Sequence, residues 1–370
     1  MVLMPYEPLK DAVRHKVEAE FDLREVFAFD RSSSRGFGAR LKRELDPYCA
    51  DTQGYGLGPE ATARFERLVT EYDLVWFHGI GIPNLLQRKS WPCSVLDIDD
   101  VQSQVHAARA SQAPRLLKRL KARREAFAWW RRERVLLNRF DIICTCSEGD
   151  KRYLGGGERI HVVPNGFEAP AAAPVRNPAN PPRIGFIGTL RYAPNVDGLR
   201  WFIRSVWPLV KARRPDARLR LVGMETDSGI AGEGPDIDGL GFVEDVAGEV
   251  ASWSASIVPI NVGGGTRIKI AEAFSRKCPV VSTRLGAYGY QLESGVECLL
   301  ADNPGELADA CLRLMDDPGF GERLAERAWQ RFAAEWSWDA IGPKVHGAVD
   351  CCMARAAKSI PSADSPVRAP

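Results

Sequence analysis

Between Asn261 and Lys277 the chain reads NVGGGTRIKIAEAFSRK. Three glycines, Gly263, Gly264 and Gly265, precede Thr266, Arg267, Ile268 and Lys269, and Glu272 follows at the head of an apolar run. Glycines let a backbone approach a ligand closely. A helix beginning here offers free N–H groups and the positive end of its dipole to an anion. Arg267 and Lys269 place two full positive charges beside that dipole, which is unfavourable unless an anion neutralises them. Glu272, one turn further in, is positioned to accept hydrogen bonds from hydroxyls. A diphosphate joined to a ribose would satisfy all these groups together. A glycine-rich loop with solvated cations needs no ligand, and the spacing alone leaves both readings open.

Such a loop must be delivered by a strand and backed by a helix. SIVPI (256–260) predicts the strand, and a helix is expected over about 266–276. Around them RIGFIG (183–188), ARLRLVG (217–223), DGLGFV (238–243), PVVST (279–283) and ECLLA (297–301) read as short buried strands. Helices are expected over about 195–213 and 246–253, and from about Pro304 and Phe320. The first half repeats the plan: LREVFAF (23–29), YDLVWFHG (72–79), CSVLDI (93–98), DIICTCS (141–147) and RIHVVPNG (159–166) alternate with helical stretches, the first of them Leu9 to Phe21. Short apolar strands alternating with helices predict doubly wound parallel sheets in an α/β fold. Pro170, Pro174, Pro178, Pro181 and Pro182 mark a linker between the halves. The expected organisation is an N-terminal domain over 1–168, a linker over 169–182, a second domain over 183–336, a terminal helix over 337–353 packing back on the first domain, and a disordered tail over 354–370. Ligands bind such sheets at the carboxyl ends of their strands, where the 261–276 loop lies.

Composition narrows the function classes. The 370 residues are 45% hydrophobic and 26% charged with a net charge of +2, which predicts a globular protein with no nucleic-acid partner. Nine cysteines without a metal or redox spacing predict reduced thiols and a cytoplasmic location. No signal peptide or membrane-spanning run is expected. No residues are assigned to a metal. Neither half carries Gly-x-Gly-x-x-Gly after its first strand, and a P-loop is absent.

Taken in order, GFIGTLRYAPNVDGLRWF, LRLVG, GLGFVEDV, PINVGGGTRIKIAEAFSRKCPVVSTRLGAYGY, SGVECLLADNPGELADA and RFAAEWSWDAI resemble the donor domain of family 4 glycosyltransferases; CSEGDKRYL and VVPNGFE extend the resemblance into the first half. It implies the GT-B fold, two Rossmann-like domains facing a cleft. It also implies a hexosyl-type transfer from a UDP- or GDP-linked sugar, taken as substrate with no cofactor, with retention at the anomeric carbon and without a metal. Glu272 would hold the ribose. Gly264, Gly265, Thr266 and Ile268, with Arg267 and Lys269, would hold the diphosphate or sugar. Gly188, Thr189 and Arg191 would lie near the leaving phosphate and Val243 near the base. The family's second Glu, eight residues before the ribose Glu, is Gly264 here, and the glycine-rich acceptor loop is reduced to YEP.

On the acceptor side, Asp99 and Asp100 in LDIDDV stand where many members carry a His. They could orient the acceptor or act as a base, or cap the following helix. His78 ends the strand LVWFH and is a further candidate. From 115 to 139 the chain holds ten Lys or Arg and two Glu, a balance of +8, around Phe127, Trp129 and Trp130. This helix reads either as a contact with an anionic membrane surface or as a solvated helix with its aromatics in the core. Membrane contact would favour a lipid-linked rather than a soluble glycan acceptor, in bacterial polysaccharide or glycolipid assembly at the inner face of the cell membrane. An epimerase of the same fold and a non-catalytic nucleotide-sugar binding subunit are the competing classes.

Overall fold

The structure is a computed structural model that describes residues 55–86, 90–91, 93–113 and 115–359, with scattered positions before 55. Of the expected helix at Leu9–Phe21 only His15, Val17 and Ala19 are described, as helical; the YEP loop and residues 360–370 lie outside the described residues. Val2–Leu3 (β1) pairs in parallel with Glu25–Val26 (β2), and Asp30–Arg31 (β3) pairs antiparallel with Tyr55–Gly56 (β4).

Val75–His78 (β5), Ser94–Ile98 (β6), Ile142–Thr145 (β7) and Ile160–Val162 (β8) form a parallel sheet in that order. Alternation along each strand supplies two apolar faces. Leu96, Ile98 and Ile143 join Phe77, Trp91, Trp129 and Phe140 in one core. Val95, Ile142 and Cys144 join Cys93, Ala348 and Cys352 in the other. The connecting helices are Pro59–Val69 (α1), Gly81–Leu85 (α2), Gln102–Gln112 (α3), Leu116–Glu133 (α4) and Glu148–Tyr153 (α5).

The second sheet consists of Arg183–Ile187 (β9), Arg218–Val222 (β10), Ile237–Gly239 (β11), Ala255–Val258 (β12), Val280–Ser282 (β13) and Leu299–Leu300 (β14), all parallel. Its order is β11-β10-β9-β12-β13-β14. The chain therefore winds outward from β9 to β11 and returns on the other side at β12. That reversal opens a crevice beyond the carboxyl ends of β9 and β12. Gly188 follows β9 and the glycine-rich loop follows β12, so both edges of the crevice belong to the candidate site.

Around this sheet lie Ala193–Trp201 (α6), Trp207–Arg213 (α7), Val246–Ala251 (α8), Ile268–Ser275 (α9), Pro304–Asp316 (α10), Pro318–Glu335 (α11) and Trp338–Ser359 (α12). The expected single helix over 195–213 is interrupted by a wide π turn at Phe202–Val206, next to Pro208, which has no N–H to give a regular turn. The chain crosses between the domains twice, side by side: Phe167 N–H donates to Trp336 C=O at 2.9 Å. Helix α12 then covers the N-terminal sheet. It runs to Ser359, which corrects the expected disorder from 354, because Cys351, Cys352 and Ala356 are still packed against that sheet. Among the described residues no helix is long and apolar enough to cross a membrane.

Candidate donor and acceptor site

Helix α9 begins later than its sequence pattern suggests. Arg267 is its N-cap, in extended conformation, and Lys269 lies in its first turn. Buried Tyr290 fixes that start: its hydroxyl donates to the Arg267 carbonyl at 3.0 Å. The Arg267 side chain is buried, and its Nε and Nη2 have no hydrogen-bond partner. Lys269 Nζ donates to Asn195 Oδ1 at 2.7 Å and stands 4.3 Å from the centre of the Phe186 ring. Among the described residues neither cation forms an ion pair. Burial, with the like charge of Arg267 second, lowers the Lys269 pKa from 10.5 to about 7. Gly188 makes the close approach possible, since a Cβ there would lie 2.8 Å from Asn195 Nδ2 and 3.1 Å from Lys269 Nζ.

Other candidates on this side are more engaged. Glu272 pairs with Arg276 at 2.8 Å, one helical turn away, and Arg276 stacks 5.1 Å from the Phe167 ring. Arg191 pairs with Glu225 at 2.6 Å in an exposed position, so it is not a third unpaired cation. Thr189 Oγ1 accepts from the Arg191 N–H at 3.2 Å, and its carbonyl accepts from Asn195 at 2.9 Å. Val243 packs against the core that contains Trp253 and Phe274. Ile268 is exposed.

The N-terminal domain closes over the loop. Asn165 Nδ2 donates to Thr266 Oγ1 at 3.2 Å, and Tyr288 Oη–H donates to Asp150 at 3.0 Å. Val105 lies against Gly264, where a Cβ would meet its Cγ2 at 2.7 Å. Asp100 lies against Gly265, where a Cβ would overlap Oδ1.

At the carboxyl ends of β5 and β6, His78 Nδ1 faces Asp97 Oδ2 at 3.3 Å and Nε2 faces Asp99 Oδ2 at 3.2 Å. Neither Asp99 nor Asp100 caps helix α3, whose N-cap is Val101 without a side-chain bond, so the capping alternative falls away. Burial raises the Asp97, Asp100 and Asp150 carboxyl pKa values above the ordinary range. For Asp100 the Arg267 charge pulls the other way, while Asp99 and Asp150 add to the rise. His78, Asp97 and Asp99 bring ligand-type atoms within 4.8 Å of one another, the one such group among the described residues. It contains an Asp-x-Asp, Asp97-Ile98-Asp99, which corrects the expectation that the chain carries no such motif for a metal. Four residues that sequence reasoning missed, Asn195, Tyr290, Asp97 and Asp150, belong to this cleft. Asp97 sits in a quoted motif, and its register opposite His78 was the available signal.

The basic helix is shorter than expected. It ends at Glu133 and a single 3-10 turn follows at Leu136–Asn138. Arg132 and Arg139 are buried, and Arg139 donates to Asn84, so part of the +8 faces the interior. Trp129 is core, but Leu116, Leu117, Leu120, Phe127 and Trp130 are exposed, at 69%, 80%, 51%, 60% and 39%. Lys118, Arg119, Lys121 and Arg123 are exposed among them. Core burial of the aromatics, the bland reading of this helix, therefore holds for Trp129 alone.

Residues 181–317 match the family model described as Glycosyl transferases group 1. A comparison of the sequence with curated proteins found no match. Among solved structures, HepE of Anabaena in complex with UDP and glucose is 17% identical, over 94% of this chain and 91% of that one, with a TM-score of 0.59. Sucrose-phosphate synthase from Thermosynechococcus elongatus is 16% identical over 96% and 99%, with a TM-score of 0.62. A glycosyltransferase from Rickettsia africae is 13% identical over 95% and 90%, with a TM-score of 0.63. At such identities the likeness is one of fold, and that fold, two parallel-sheet domains facing a cleft, is GT-B. Residues 181–317 thus resemble the Glycosyl transferases group 1 family, within a chain that has the GT-B architecture.

Proposed function

We propose that this chain transfers a hexosyl group from a nucleotide diphosphate sugar, UDP- or GDP-linked, to an acceptor hydroxyl. The observation that carries this reading is the pair Arg267 and Lys269: one buried and one half-buried cation, with no carboxylate partner, at the crevice where β9 and β12 diverge. A buried charge without a counter-ion costs several kcal/mol, and a diphosphate supplies that counter-ion. As the sugar–phosphate bond breaks, negative charge grows on the departing diphosphate, and these cations and the α9 N-terminus stabilise it. Glu272, through the oxygen that Arg276 leaves free, accepts from the ribose. Arg191 reaches the phosphate by exchanging Glu225 for it. Asp99 and His78, beyond the reacting carbon, orient the acceptor hydroxyl, and the domain contacts at Thr266 and Asp150 keep water out.

The same cations do the work of a divalent ion, which supports a metal-independent reaction, and the resemblance of the donor domain supports retention. The UDP and glucose held by HepE are consistent with the donor class. The exposed leucines and cations of α4 suit an anionic membrane surface, hence a lipid-linked or glycan acceptor in bacterial polysaccharide or glycolipid assembly, with the protein peripheral on the inner face of the membrane. A thermal-shift panel of UDP- and GDP-sugars tests the donor reading. At about 100 times Kd a true donor adds about 2.7 kcal/mol, which raises Tm by roughly 5–10 °C for domains of this size. A panel in which no nucleotide sugar raises Tm overturns it.

A further inference from the structure

Asp100 reaches from the N-terminal domain into the donor loop. Its Oδ1 occupies the space a side chain on Gly265 would fill, and Gly265 has φ +74°, a conformation that suits glycine. Next to it, Val105 fills the space a side chain on Gly264 would need. Asp100 is half-buried and forms neither a hydrogen bond nor an ion pair among the described residues. It is close enough to Arg267 to feel its charge, yet the two are not paired, and Arg267 keeps two buried nitrogens without acceptors. A carboxylate lacking donors and a guanidinium lacking acceptors thus lie within electrostatic reach of each other from opposite domains, Asp100 against Gly265 and Arg267 against Gly263. Water on both would leave Arg267 a desolvated charge. A ligand that carries an anionic oxygen and, a few atoms away, a hydroxyl satisfies both. The reacting end of a sugar diphosphate is such a ligand.

Resting on the donor reading above, we propose that Asp100 is the residue that reads the transferred sugar, accepting hydrogen bonds from its hydroxyls while Arg267 holds the adjoining phosphate. Gly264 and Gly265 are small because Val105 and Asp100 dock on them. The carboxylate that recognises the sugar is thereby supplied by the domain opposite the nucleotide. Sugar recognition then requires the domains to be closed, whereas nucleotide recognition does not.

The test separates nucleotide from sugar. Affinities for UDP, UDP-glucose, UDP-galactose, UDP-N-acetylglucosamine, GDP and GDP-mannose are measured by calorimetry on the full chain and on Asp100→Ala, Asp100→Asn and Gly265→Ala. A hydrogen bond to a charged group is commonly reflected in a change of about ten- to a hundredfold. The advantage of the preferred nucleotide sugar over its free nucleotide should fall by that factor in Asp100→Ala, with affinity for the free nucleotide within about twofold of wild type. Asp100→Asn, which keeps the shape, should flatten discrimination among sugars. Gly265→Ala should resemble Asp100→Ala, because the added methyl displaces the carboxylate. Equal loss of nucleotide and nucleotide-sugar affinity in both Asp100 variants overturns the proposal, since Asp100 would then act through Arg267. A gain in nucleotide affinity on removing the carboxylate overturns it too, because Asp100 would be competing with phosphate for Arg267. A wild-type chain that binds none of the six compounds refutes the donor reading itself and this proposal with it.

Discussion

Donor affinity should fall steeply above neutral pH, and Lys269 is the reason. Burial, then the charge of Arg267, brings its pKa to about 7 in the ligand-free cleft. At pH 7 about half the molecules carry a neutral Lys269 and at pH 9 about one in a hundred carries a charged one. A diphosphate brings negative charge beside it. One unit charge at about 4 Å, in an effective dielectric of about 20, is worth about 4 kcal/mol, or about three pKa units. Bound Lys269 is therefore protonated throughout the working range, and binding above pH 7 takes up a proton. Affinity should be flat below pH 7 and weaken about tenfold per unit above it, reaching about fiftyfold between pH 7 and 9. Calorimetry with a UDP-sugar, whose diphosphate is a diester without an ionisation near neutrality, reads this directly. Repeating it in buffers of different ionisation enthalpy should show uptake of about half a proton at pH 7 and nearly one at pH 8.5. In the ligand-free chain the effect on stability has the opposite sign. The unfolded lysine, with a pKa near 10.4, binds more protons than the folded one between about pH 7 and 10.4, so this residue's contribution rises with pH in that window. Lys269→Met should bind donor weakly and without this pH dependence. Wild-type binding at pH 8.5 with no proton uptake, or uptake that persists in Lys269→Met, would refute the reasoning.

Glu272→Ala should weaken nucleotide-sugar binding by about ten- to more than a hundredfold with little change in Tm, although it also releases Arg276 from its 2.8 Å pair; unchanged affinity by calorimetry would remove Glu272 from the site. Tyr290→Phe deletes the hydroxyl that holds the Arg267 carbonyl and should cost about 1–3 kcal/mol in denaturant unfolding, with a parallel loss of donor affinity; a variant as stable and as tight as wild type would free α9 from that anchor. Transfer activity should survive EDTA, and complete loss restored by magnesium or manganese would assign the His78, Asp97 and Asp99 cluster to a metal instead. The chain should sediment with anionic vesicles at low salt, release as salt rises, and lose binding when Lys118, Arg119, Lys121 and Arg123 are changed to Glu, since each residue near an anionic leaflet contributes about 1 kcal/mol; no sedimentation of the wild type would leave α4 an ordinary solvated helix.

Local chemistry was legible in the chain itself. Alternating apolar strands and helices specify doubly wound sheets because each element must bury one face or both. A run of glycines followed by Arg267, Lys269 and Glu272 marks a candidate anion-binding loop because backbone approach, dipole and charge act over neighbouring residues. What the sequence could not decide is which groups meet across strands and across the cleft. Arg191 and Lys269 look alike in sequence, yet one pairs with Glu225 on the surface while the other is half-buried against the Phe186 ring. Asp99 and Asp100 are adjacent, yet one faces His78 and the other lies on Gly265, a residue of the other domain. Asp97 became a candidate through its register with His78 on the neighbouring strand. The basic segment 115–139 kept its charge pattern, but Arg132 and, beyond the helix, Arg139 turned inward and Phe127 and Trp130 outward. Periodicity assigns each residue to an element. The side a long side chain turns to, and whether its charge finds a partner, depend on packing between segments far apart in the chain, and only the tertiary structure fixes those contacts.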